Sequence, residues 1–243
     1  MKETSPKVAK LEGEANAKQL DVNCDCSELD DLANKYDALQ LKYGDPELKS
    51  IYFGGETNKP KLMLIFMNPT GANIASRPDW HGIRAPWIGT KNIWKLLCEA
   101  ELLSKEIYDE IRSKRAPDWS EDFAGRVYDE VRRNGVFITN LGKCTQADVR
   151  SLPDGVFREY LGLLRQEIEI VQPRIIVAFG NQVSSVLLEK GNKVSESRLR
   201  RHELKVSGKT YPVYATFYPV GQGMRNIDKS IEGLGKIAKE IEL

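Results

Sequence analysis

Two asparagines stand where this chain abruptly stops being apolar. Six apolar residues, Leu62 to Met67, end at Asn68-Pro69-Thr70-Gly71. Such a run reads as a strand buried on both faces. Pro69 cannot donate to a sheet ladder, so the strand stops there. The loop beyond lies at the carboxyl end of a parallel strand, where open α/β sheets put their ligands. Asn68 either presents its amide to a ligand or caps the loop through a local backbone hydrogen bond, and local sequence leaves both readings open. A second short apolar run, Gly135 to Asn140, ends the same way. Asn140 is again a polar residue at a strand end, which by itself reads as a turn residue. Phe217-Tyr218-Pro219 closes a third run ahead of glycines at 221 and 223.

Aromatic and basic residues collect in two further stretches. Ala72 to Gly89 holds Arg77, Trp80, His81, Arg84 and Trp87. An irregular stretch of this length inside a compact domain is usually functional; the alternative is that both indoles fold back as a small core. Ser195 to Lys205 carries Arg198, Arg200, Arg201, His202 and Lys205. Alone, that cluster also reads as a solvated hairpin face.

Bulk properties exclude more than they select. A length of 243 residues gives one sizeable domain or two small ones, and a net charge of +1 does not by itself advertise nucleic acid. Two histidines exclude a histidine-rich metal centre. Four cysteines (Cys24, Cys26, Cys98, Cys144) and no signal peptide predict a reducing, intracellular, cytoplasmic setting. No apolar run approaches membrane-spanning length, so no membrane association is expected. Residues 1–26 are polar and predict a mobile tail, leaving 27–243 as a single domain.

The elements that would position these residues follow from periodicity. Leu29, Leu32, Tyr36 and Leu39 form one helical stripe, with Ser27 as its cap. Gly54-Gly55 reads as a turn. Thr90 caps a helix through Leu103, and Ser104 to Arg133 holds more helix broken at Ala116-Pro117. Asp154 to Val171 is an amphipathic helix. Pro173 to Gly180 is a strand, after which Asn181 caps a helix through Leu188. Glu203–Val206 and Lys209–Thr216 make a hairpin about Ser207-Gly208, and a last helix runs from Asp228. Strands alternating with helices predict a three-layer α/β/α sandwich with a central, mostly parallel sheet.

Phe66-Met-Asn-Pro-Thr-Gly71, Ile138-Thr-Asn-Leu-Gly-Lys-Cys144, Pro173-Arg-Ile-Ile-Val-Ala-Phe-Gly-Asn181 and Phe217-Tyr-Pro-Val-Gly221 stand in that order. Together they resemble the uracil-DNA glycosylase superfamily, from about Leu62 to the C-terminus. Met67-Asn68-Pro69 is similar to the first motif of the mismatch-specific and single-strand-selective branches. The second and third motifs are more similar to the iron–sulfur branch of archaea and thermophiles. The resemblance implies a monofunctional DNA glycosylase of base-excision repair, acting as a monomer on DNA that contains a damaged base. It implies that Asn68 positions the attacking water, that the Met67 N–H donates to a base oxygen and that Asn140 reads uracil by accepting from N3–H and donating to O4. Trp87 would stack on the flipped base, or be an ordinary core aromatic before a helix. Gln222, Met224 and Arg225 would enter the minor groove, or form a plain glycine-rich turn, with Arg198, Arg200 and Arg201 as further DNA contacts.

Several departures matter. Tyr218 stands where the family has histidine; a phenol can donate a hydrogen bond but supplies no cation at neutral pH. Cys144 matches one iron–sulfur ligand, yet the next ligand position holds Tyr160, and Cys24-Asp-Cys26 has the wrong spacing. No cluster, metal or other cofactor is therefore expected. Phe66 for glycine, Thr70 for a small residue and Tyr218 for histidine keep open a catalytically weak nucleic-acid-binding protein. A pocket rebuilt around Trp80, His81 and Trp87 would instead suit another base, such as hypoxanthine or xanthine, or a free nucleotide or RNA.

Overall fold

Leu62–Phe66 is a strand with every residue buried, as an apolar run with no period predicts. In the computed structural model, which describes residues 26–148 and 152–240, it is the second strand, β2. The others are β1 (Phe53–Gly55), β3 (Val136–Asn140), β4 (Ile175–Phe179), β5 (Arg201–Val206) and β6 (Lys209–Thr216). The sheet order is β1-β3-β2-β4-β6-β5. β3, β2, β4 and β6 pair in parallel, and the two edge strands pair antiparallel to their neighbours.

Helices cover both faces. Leu62, Leu64 and Phe66 of β2 face one core, with Ile93, Trp94 and Leu97 of α2 (Asn92–Glu99), Phe123 and Val127 of α4 (Glu121–Arg133), and Leu234 and Ile237 of α8 (Ile227–Lys239). That layer also includes α3 (Lys105–Ser113), which the Ser104 hydroxyl caps through the Ile107 N–H. Met63 and Ile65 face the other core. Leu32 and Tyr36 of α1 (Cys26–Tyr43), Leu164 and Ile168 of α5 (Asp154–Val171), and Val183 and Leu187 of α6 (Asn181–Leu187) fill it. The strand period of two thus divides one apolar run between two cores, and the result is the expected three-layer sandwich.

Several local expectations are corrected. Gly54-Gly55 is not a turn but part of the edge strand β1. A Cβ on Gly55 would fall 2.1 Å from the Val136 carbonyl oxygen, so close backbone approach put glycines where strand propensity is poor. α1 is already formed at Cys26, so Ser27 lies inside the helix rather than capping it. Lys91, not Thr90, occupies the N-cap of α2; the Thr90 hydroxyl donates instead to the Trp87 carbonyl at 2.7 Å. Gly180 is the N-cap of α6, and the Asn181 side-chain oxygen accepts from the Val194 N–H at 2.9 Å. That bond anchors a short helix, α7 (Val194–Ser197), at the start of the basic stretch read as a solvated hairpin face. Ser207 and Gly208 both have positive φ, the backbone a two-residue hairpin turn needs. The expected mobile tail falls on residues 1–25, outside the described residues, and on Cys26.

Candidate active site

The four parallel strands deliver their carboxyl ends to one side of the sheet. Asn68 follows β2, Asn140 ends β3, Gly180 follows β4, and Phe217 and Tyr218 follow β6. Together with Met67, Pro69 and Trp87 they line a cavity of about 1170 Å³. Of the predicted site residues, the cavity therefore gathers Met67, Asn68, Trp87, Asn140 and Tyr218.

Each arrives by a local cause. Phe66 pairs with Asn140 in parallel register, so the two strand ends are level. The Leu141 and Gly142 N–H groups donate to the Phe66 and Met67 carbonyls at 2.7 and 2.8 Å, carrying the pairing past the formal strands. The Asn68 amide nitrogen donates to the Pro69 carbonyl at 3.2 Å. The local bond considered from sequence thus exists, and it leaves the side-chain oxygen as an acceptor in a cavity-lining residue. Asn140 is 2% exposed. Among the described residues its side-chain amide makes no hydrogen bond to protein, which leaves its donors and acceptor for a ligand.

Trp87 is held in a left-handed backbone conformation, φ +69°, rare for a bulky side chain. Its carbonyl accepts from the Trp94 indole, the Thr90 N–H and the Thr90 hydroxyl, which together fix it. Its own indole nitrogen is buried without a partner. Phe66 is fully buried and does not line the cavity. Its ring packs on Phe179 with centroids 4.3 Å apart and meets the edges of Trp87 and Tyr218 at 5.1 and 6.3 Å. The residue that replaces the family's glycine therefore supports two cavity aromatics instead of blocking the slot.

Burial pushes the Tyr218 phenol well above its usual range, against a smaller opposing effect of the Met67 N–H. It is a neutral hydrogen-bonding group, never an anion at working pH. Among the described residues, no Asp, Glu or His lines the cavity, whose charged members are Arg77 and Lys91. Both are exposed, and sequence reasoning assigned neither to the site. Their signal was weak: Arg77 was one of several residues collected in a long stretch, and Lys91 stood at a helix start.

Other predicted residues lie outside the cavity. Gly221 and Gly223 line it, but the exposed Met224 and Arg225 do not; they sit on the same 3-10 turn, Gly221–Asn226. The Gln222 side chain is outside the described structure. Arg198, Arg200 and Arg201 are also outside the lining. Arg198 is committed to α8, bonding Glu232 at 3.0 Å and the Lys229 carbonyl at 3.3 Å. Trp80 and His81 do not reach the cavity either. Trp80 is buried in the core and donates to the Ile83 carbonyl at 3.0 Å, which corrects the idea of a pocket rebuilt around it.

The surroundings of Cys144 do not suit an iron–sulfur cluster. The thiol is buried, its pKa raised by that burial, and its polar neighbours are the Tyr160 hydroxyl and the Gln146 amide, not thiolates. Gln146 bonds the carbonyl of Tyr43 at the end of α1. The backbone of Cys26 begins that 18-residue helix, roughly 25 Å away along its axis at about 1.5 Å per residue. Cys98 lies in α2 on the other face of the sheet.

Fold and cavity define an α/β protein with a cavity at the carboxyl edge of a parallel sheet, where such sheets put their ligands, lined by neutral amides, aromatic rings and the cations Arg77 and Lys91. A model of the uracil DNA glycosylase superfamily matches residues 53–239, and the chain belongs to that superfamily. A type-4 uracil-DNA glycosylase of Pyrobaculum aerophilum is similar to it, 29% identical over 122 residues. The matched segment covers 43% of this chain and 62% of that relative, so the chain spans less than two thirds of the relative's length. Among the described residues, no helix is long and apolar enough to cross a membrane.

Proposed function

We propose that this protein is a monofunctional DNA glycosylase that hydrolyses the N-glycosidic bond of uracil, or another deaminated base, in DNA. The observation that carries this reading is the convergence of Asn68, Trp87, Asn140 and Tyr218 on one cavity from four separate parts of the chain.

Water adds to C1′ of the deoxyribose as the bond to the base breaks. The electron pair leaves with the base, the water gives one proton to solvent while the base anion takes one up, and the products are free base and an abasic site. Asn68 orients the water through its side-chain oxygen. An amide is not a base, but a departing anion makes orientation sufficient. The Asn140 amide matches the donor and acceptor edge of uracil and mismatches that of cytosine. Tyr218, whose oxygen the Met67 N–H faces, stands as a neutral donor near the charge that develops on the base, and Met67 acts through it. The base must leave the helix to enter the cavity. The exposed Met224, beside Gly223 of the lining, suits the wedge that takes its place in the stack.

The test is release of free base from oligonucleotides carrying uracil, hypoxanthine or xanthine, with Asn68→Ala and Asn140→Ala as controls. Base release abolished or strongly slowed in both variants supports the assignment. Unchanged release in both overturns it. Tight, salt-dependent binding without release would identify a nucleic-acid-binding protein instead.

A further inference from the structure

Behind Asn140, on the opposite face of β3, lies a charged cluster that takes no part in the chemistry above. Lys143 and Glu167 form an ion pair at 3.0 Å, and neither side chain has any exposed surface. An ammonium group has three donors. Lys143 spends them on Glu167, on the Thr139 hydroxyl and, at 2.8 Å, on the backbone carbonyl of Asn140. The Tyr36 hydroxyl donates to Glu167 at 2.7 Å, and the Tyr36 ring centroid lies 5.1 Å from the Lys143 nitrogen. Residues of α1, α5 and the segment after β3 thus meet on one peptide group.

Stability does not explain the pair. Desolvating two charges is costly, and a well-packed apolar pair of similar volume is often equally stable. What an apolar pair would lack is a directed bond to one carbonyl. That carbonyl belongs to the residue whose free amide lines the cavity. The other edge of the same segment is already held by the Leu141 and Gly142 bonds to β2. With the lysine bond added, the peptide plane leaving Asn140 is fixed from both sides. Reading a base by two hydrogen bonds requires such placement, to within about 0.5 Å.

We infer that Lys143, clamped by Glu167 and Tyr36, is a positioning residue that holds the Asn140 amide in its reading orientation. This rests on Asn140 being the base-reading side chain.

The test uses the double variant Lys143→Met with Glu167→Gln, which removes both charges together and leaves Tyr36 a partner. Tyr36→Phe is the milder second variant should the double variant fold poorly. The first readout is the NMR order parameter of the Asn140 side-chain amide, with that of Asn68 as reference. It is expected to fall for Asn140 and hold for Asn68. The second is excision kinetics. kcat is expected to fall at least about tenfold with KM nearly unchanged. Asn140→Ala is then expected to cost less in the variant background than in the wild type, because the two changes disable one device. An Asn140 amide as ordered as in the wild type, or an equal cost of Asn140→Ala in both backgrounds, overturns the inference. If the wild-type chain releases no base, the glycosylase reading fails, and the order parameters alone still decide whether Lys143 positions Asn140.

Discussion

A Cβ on Gly223 would fall 1.8 Å from the carbonyl oxygen of Tyr218. The loop after β6 therefore folds back onto the backbone of the residue that stands in the family's histidine position. Gly180, with φ +91°, also approaches it, a Cβ there falling 3.3 Å from that of Tyr218. Two glycines thus pack closely on Tyr218, Gly223 on its backbone and Gly180 on its side chain.

Gly223→Ala should accordingly displace the loop while sparing the core. A melting temperature within a few degrees of wild type is expected, with excision reduced at least about tenfold, since small misplacements at a reacting centre are costly. Circular dichroism melts alongside base release check both halves. Wild-type activity would mean that the loop plays no part in setting Tyr218.

Excision should be nearly independent of pH between about 6 and 9. The described cavity lining holds no carboxylate or imidazole, and the raised pKa of Tyr218 keeps its proton across that window. The sign follows directly: a pKa moved upward extends the protonated, donating form to higher pH. Tyr218→His should introduce a titration near about 6.5, with the rate rising as pH falls through it, because the cationic form stabilises the departing anion better. A pH–rate profile of both proteins checks this.

Asn68→Ala and Asn140→Ala should each lower kcat by about 10²–10³, the range for losing one preorganised polar contact to a transition state. Both folds should survive, because among the described residues neither side chain bonds a distant element; Asn68 bonds its neighbour, Pro69. Single-turnover rates with uracil-containing oligonucleotide are the measurement.

Trp87 invites a paired substitution. Trp87→Ala should weaken binding of base-extruded DNA by about 1–3 kcal/mol, the worth of one stacked base. Trp87→Phe should keep most of that affinity. It also removes a buried indole N–H without a partner, a group that costs about 1–3 kcal/mol, and so should not destabilise the fold. Fluorescence anisotropy and denaturant melts separate the two effects.

Glu167→Ala leaves the Lys143 cation buried alone. The expected loss is about 3–5 kcal/mol, which in a chain of this size lowers Tm by roughly 10 °C. A loss below about 1 kcal/mol on that scale would show that the lysine escapes a buried charge, through water or by giving up the proton that burial already weakens.

Much of the site was legible because strand ends leave a plain signature: an apolar run, then a polar residue, then proline or glycine. Asn68 and Tyr218 were marked as strand ends that way and Asn140 by its apolar run alone; their roles came from the family resemblance, and the sheet they share explains why the ends converge. Other features had no such signature. β1 was hidden by two glycines chosen for clearance rather than propensity. Asn181 looked like a helix cap because its side chain serves Val194, thirteen residues on. The Lys143–Glu167 pair left one trace, a glutamate on the apolar stripe of α5 beside Leu164 and Ile168, but its partner is a tertiary fact. The arginines between 198 and 201 carried a charge pattern, and pattern alone does not say which charges are already neutralised by a neighbouring helix.

Phe66 touches Phe179 beneath it and both aromatic walls of the cavity above it, yet no ligand can reach it. Substituting a smaller or larger residue there would shift two walls at once without altering any group that meets the substrate. On the proposed function, Phe66 is therefore a handle on which bases the cavity accepts, one layer below the side chains that line it.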